Sequence, residues 1–157
     1  MTCRCFIILL LATIFIQSGC SYRFVQPFPA SDYALVKVGN SSPEAGLAPL
    51  LEEELRRNGG FHKRSANLLS VTVTDFSETV ESVSSSGSPV RQKLSMEVAW
   101  KVERTSSSKA VSGKETVVRS YPYSADPSTL DWNRSAAVRL LTEMAARRIL
   151  ENFGDKL

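Results

Sequence analysis

Histidine and cysteine are nearly absent from this 157-residue chain: it has one His and three Cys, and the cysteines all fall within the first 20 residues. Past Cys20 there is therefore no disulfide to staple the chain and no Cys/His set at zinc spacing. The single histidine, His62, stands beside Lys63 and Arg64 with no carboxylate cluster near it, so it reads as neither metal ligand nor base. Serines gather in 82–88 and 105–108, polar stretches that read as loops and lack an imidazole partner. A phosphate-cradling glycine loop is missing too, because Gly59-Gly60 follows a predicted helix instead of preceding one. Nor is one sign of charge in large excess: 19 basic against 16 acidic residues give +3, which is no nucleic-acid footprint. With no acid, base and nucleophile converging, the chain reads as non-enzymatic, without a catalytic residue or a metal.

Long apolar runs are also scarce. The one long stretch, Phe6 to Ile16, covers 11 residues, apolar but for Thr13, after the charged Arg4. That is well short of the ~20 needed to span a bilayer as a helix. Followed by Ser18 and Gly19, it has the form of a secretion signal over 1–19 that is cut before Cys20. Ser18-Gly19-Cys20 resembles a lipobox, with Gln17 at a position commonly held by leucine. Cys20 is thus the expected first residue of the mature protein, carrying diacylglycerol and an N-acyl chain, and several acyl chains hold a protein at a membrane durably. Ser21 stands where an aspartate favours inner-membrane retention in enterobacterial lipoproteins, which suggests sorting to the outer membrane. Cleavage leaves 138 residues, 18 basic and 16 acidic, net +2. That length suits one domain stabilised by a packed core.

Residues 20–32, with Pro27 and Pro29, show no apolar period and read as a tether to a domain over 33–157. A first strand is predicted over 33–38 from Leu35, Val36 and Val38, with Lys37 facing water. Ser42-Pro43-Glu44 supplies a cap, a first-turn proline and an acid, so a helix is predicted to start there and stop at Gly59-Gly60. Its apolar face is Leu47, Leu50, Leu51 and Leu55, Pro49 is a candidate kink, and Glu52, Glu53 and Glu54 read as solvated beside Arg56 and Arg57. Leu69, Val71 and Val73 alternate with Ser70, Thr72 and Thr74 as a strand running toward Val80. After a polar hairpin loop over 82–89, Leu94, Met96, Val98, Trp100 and Val102 mark the most regular strand, with Trp100 in the core register. A second loop is predicted over 105–113, then a fourth strand over 115–123, placed at an edge or strand end by Pro122. The last helix is predicted over 131–153, burying Ala137, Val138, Leu141, Met144, Ala145 and Ile149, with Trp132 as a staple at its start. The order β-α-β-β-β-α implies an α+β two-layer sandwich, two helices on one face of a four-stranded, mostly antiparallel sheet. Basic pairs recur at Arg56-Arg57, Lys63-Arg64 and Arg147-Arg148 and read first as solubilising charge.

Cys20-Ser21-Tyr22-Arg23-Phe24 is similar to the Cys-Gly-Phe-x-Leu/Phe start of the LptE family of outer-membrane lipopolysaccharide-assembly lipoproteins. The likeness continues through the strand at 35–38, the Leu-rich helix ending in Arg56-x-x-Gly59, the strands across 69–102, the Tyr121-Pro122-Tyr123 segment and the helix over 136–153. The resemblance implies a Gram-negative envelope protein facing the periplasm from the inner leaflet of the outer membrane. It further implies a plug and assembly partner for an LptD-type β-barrel, handling lipopolysaccharide without a cofactor beyond the Cys20 lipid. Cations that would meet lipid A phosphates are then Lys63, Arg64, Arg91 and Lys93. The residues alone also leave open a freestanding envelope lipoprotein that binds a lipid or peptide or acts as a scaffold. Mass measurement of the mature N-terminus is expected to show cleavage before Cys20 and a mass increment of attached acyl chains; an unmodified Cys20 would refute lipidation.

Overall fold

The computed structural model describes residues 33–44, 46–62, 65, 67–104 and 107–155. The predicted signal, Cys20, the tether to residue 32, and Lys63 and Arg64 lie outside the described residues. The elements run β1 (Tyr33–Asn40), α1 (Leu47–Gly59), β2 (Asn67–Val83), β3 (Pro89–Arg104), β4 (Ser107–Pro122) and α2 (Pro127–Asp155). The sheet order is β1-β2-β3-β4, with β1 parallel to β2 and the other pairs antiparallel. This is the predicted α+β sandwich, because a β-α-β start brings β1 and β2 together in parallel while a short loop closes a hairpin antiparallel.

One face of the sheet carries the core. Leu69, Val71 and Val73 of β2 and Leu94, Met96, Val98, Trp100 and Val102 of β3 are buried beneath Leu47, Leu51 and Leu55 of α1 and Leu141, Ala145 and Ile149 of α2. The other face holds Ser70, Thr72, Ser95, Lys101 and Lys114, the polar half of the same alternation.

Bulges in β1 and β2 reset this alternation. In β1 the register shifts between Leu35 and Lys37, so Tyr33, Ala34 and Leu35 are buried while Val36, expected inside, is 54% exposed. In β2 Thr74 is the extra residue: Val73 pairs Val98 and Asp75 pairs Glu97. Odd-numbered residues face the helices before it and even-numbered ones from Phe76 to Val80, which buries Phe76 and turns Glu78 to the helix side.

Helix boundaries also moved. Leu50 N–H donates to Gly46 O at 3.4 Å, so α1 begins after Gly46, whose φ of 100° reverses the chain, and not at Ser42. Ser42 instead closes a turn on Asn40, donating from its backbone N–H to Oδ1 at 3.0 Å. Pro49 thus falls in the first turn, where its missing N–H would have no intrahelical partner and gives no reason for a kink. The stop at Gly59-Gly60 is as predicted, with Gly60 left-handed at φ 60°. Glu54 departs from the solvated-face reading: it is buried, paired to Arg57 at 2.8 Å. The second helix starts four residues early, capped by Asp126, whose Oδ2 accepts from Thr129 N–H at 2.9 Å before Pro127. Trp132 consequently lies inside α2 and is 72% exposed, so it is no staple. Met144 is only partly buried, while Ala146 and Leu150 join the core.

The predicted loop over 105–113 is the other correction, since β4 already begins at Ser107. Its polar residues carry no apolar period because an edge strand is held by its backbone, and Gly113 has a packing role. A Cβ there would stand 2.5 Å from Cζ2 of Trp100, so the glycine makes room for the indole. Gly113→Ala is expected to destabilise the fold by roughly 1–3 kcal/mol through overpacking. A lowered urea midpoint with an unchanged slope would show it.

Candidate functional site

The hairpin β2/β3 is closed by residues 84–88, with Ser84 N–H donating to Ser88 O at 2.8 Å and Gly87 at φ 81°. Arg91 and Lys93 leave this hairpin on the polar face of β3, two residues apart and therefore ~7 Å from each other along the strand. Arg91 Nε lies 3.3 Å from Glu81 Oε2, an exposed pair worth about 0–1 kcal/mol. Lys93 sits between Thr79 and Ser120 of the flanking strands and forms no ion pair among the described residues. The structure thus brings two of the four candidate cations together.

Beneath the same hairpin, on the helix side, lies a polar knot that the sequence did not announce. Arg134 of α2 reaches Glu44 in the loop before α1, with Nη2 to Oε2 at 3.0 Å and Nη1 to Oε1 at 3.4 Å. Its Nε donates to Glu78 Oε2 of β2, also at 3.0 Å. Tyr121 of β4 adds its phenol to Glu78 and Gln92. The Arg134 side chain is 29% exposed, so the planar guanidinium is fixed between two carboxylates while water still reaches it. Glu44 and then Glu78 hold its pKa above the usual arginine range. Desolvation first, then Glu78, pushes the Tyr121 phenol well above the ordinary tyrosine range and keeps it neutral.

Glu44 and Arg134 are 90 residues apart, and Glu78 follows a bulge, so no local pattern joins them. On the opposite face Glu97 links Lys114 at 2.8 Å to Thr74 Oγ1 at 2.8 Å, and these bonds hold its pKa below the usual carboxylate range. Among the described residues no three His, Cys, Asp or Glu side chains group as metal ligands, and no helix is long and apolar enough to cross a membrane.

No family model and no curated protein matches the chain. Solved structures do match in fold. A candidate lipoprotein from Caulobacter crescentus superposes with a TM-score of 0.60 at 19% identity, over 80% of this chain and 90% of that one. Rare lipoprotein B from Shewanella oneidensis gives 0.59 at 19% identity, over 78% and 95%. An uncharacterised lipoprotein B from Nitrosomonas europaea gives 0.51 at 14% identity, over 76% and 83%. The chain therefore has a fold found in bacterial lipoproteins, spread over most of their length.

Arg134→Ala is expected to leave both carboxylates without their shared cation and to cost about 1–3 kcal/mol. Arg134→Lys should recover only part, because an ammonium cannot serve two carboxylates in the forked geometry. Denaturant unfolding of the three proteins at neutral pH checks this.

Proposed function

We propose that the chain is a lipoprotein moored through Cys20 in the inner leaflet of the outer membrane. On this reading it acts without catalysis as the plug and assembly partner of an LptD-type β-barrel in lipopolysaccharide transport and insertion. The observation that carries the proposal is the fold shared with lipoproteins over about four-fifths of the chain, joined to a cysteine placed directly after a signal-like segment. The sheet's open face supports it physically: hydroxyl and charged side chains such as Ser70, Thr72, Lys101 and Lys114 suit the polar interior of a barrel better than lipid. Arg91 and Lys93 on that face offer charge to lipid A phosphates, with Lys63 and Arg64 as the remaining candidates.

Affinity purification of the tagged full-length protein from detergent-solubilised outer membranes is expected to bring down a large β-barrel protein. Deleting the gene should leave that barrel misassembled. Normal barrel assembly in the deletion strain would sink the proposal. Lipopolysaccharide binding by the domain in the absence of any barrel would favour a freestanding lipid-binding lipoprotein instead.

A further inference from the structure

Among the described residues nothing in the sheet lies beyond β4, so one whole side of a 16-residue strand is an edge. Which backbone groups it exposes follows from the hydrogen-bond phase. Tyr123 N–H donates to Val90 O at 2.9 Å, so odd-numbered residues of β4 bond to β3 and even-numbered ones point their N–H and C=O outward. Two side chains of α2 meet this pattern: Arg148 Nη1 donates to Thr116 O at 2.9 Å, and Asn133 Nδ2 donates to Pro122 O at 3.2 Å. Pro122 itself is even, so its missing N–H falls on the outer side and costs the sheet nothing.

Between these two stoppers the outward groups of Val118 and Ser120 bond to none of the described residues. The opposite edge is treated differently, since β1 carries a bulge after Leu35 and His62 N–H caps Tyr33 O at 3.0 Å. The side chains flanking the open stretch have a definite chemistry. On the helix side Arg119 is exposed and forms no ion pair among the described residues, and Arg148 is bonded there to a neutral carbonyl. On the polar side Val118 is 45% exposed.

The geometry points to the β4 edge at 117–121 as a strand-addition site for an extended segment of a partner polypeptide. That segment places carboxylates on the helix side, toward Arg119 and Arg148, and an apolar side chain beside Val118. Main-chain bonds to Val118 and Ser120 supply affinity, and the two arginines select acidic residues at alternate positions. A barrel wall cannot be the occupant, because its strands are already paired on both sides. The inference therefore goes beyond the barrel partnership and does not depend on it.

The test titrates the purified mature protein with a capped eight-residue peptide of alternating Val and Glu, labelled for fluorescence anisotropy. Saturable binding is expected, with hydrogen-exchange protection appearing at residues 117–121. Val118→Pro removes one outward N–H and no bond to β3, so it should weaken binding roughly tenfold, as expected for one lost hydrogen bond, at an unchanged urea midpoint. Arg119→Glu, which leaves the backbone intact, should turn preference from the Val/Glu peptide to a Val/Lys one. No binding at millimolar peptide, protection confined elsewhere, or indifference to both substitutions would overturn the inference. So would a dimer in sedimentation that Val118→Pro dissolves, because the edge would then belong to a second copy of this chain.

Discussion

A sheet with one wet face must keep every strand's alternation in phase with its neighbours, and within the core-bearing part of β2 that phase is reset at Thr74. Before the bulge Val71 and Val73 face the helices; after it Phe76 and Glu78 do. Without the extra residue Ser77 and Thr79 would take those places, Phe76 would meet water, and Arg134 would lose one of its two carboxylates. The cost of leaving Thr74 unpaired is offset locally, since its hydroxyl donates to Glu97. A change of one residue in register thus decides whether the hairpin end of the sheet closes on apolar packing alone or on the ion pairs around Arg134.

The parts of the fold that follow a simple period were legible. The alternation from Leu94 to Val102 and the helix stop at Gly59-Gly60 read directly from the residues, and with them the α+β sandwich. What escaped were mostly features fixed by partners distant in sequence. Ser107 to Gly113 looks like a loop because its strand character comes from pairing with β3, and Gly113 gains meaning only from the Trp100 ring. Ser42 was a plausible cap, yet Asn40 competed for it and Gly46 set the true start. The Asp126-Pro127 start of α2 was a local signal that the apolar period, beginning later, obscured. Of the candidate cations, Arg91 and Lys93 share a face as strand spacing requires. The knot of Glu44, Glu78, Tyr121 and Arg134 had no signature shorter than the chain that separates them.

Two kinds of surface result. The polar face presents hydroxyls and mostly paired charges, Lys114 with Glu97, Lys101 with Glu103, Arg91 with Glu81, which hydrate well and associate weakly unless a partner supplies complementary groups. The β4 edge instead offers, beside Arg119 and Arg148, backbone groups that none of the described residues satisfies. A fold shared with lipoproteins at 19% identity or less constrains neither surface closely, because such likeness preserves topology while the exposed residues drift.

The parallel pairing of β1 with β2 places Tyr33 beside Asn67, at the opposite end of β2 from the hairpin. The chain enters the domain at one pole and the hairpin forms the other, separated by the 17 residues of β2, or ~55 Å of strand. Residues 21–32 can reach at most ~43 Å when fully drawn out. In a domain moored through that segment, the strands set the separation of the two poles and the tether adds at most that reach to the height of the far pole. Arg91, Lys93 and the serine-rich tip therefore sit at the far pole, separated from the point of entry by the full length of the β2/β3 hairpin.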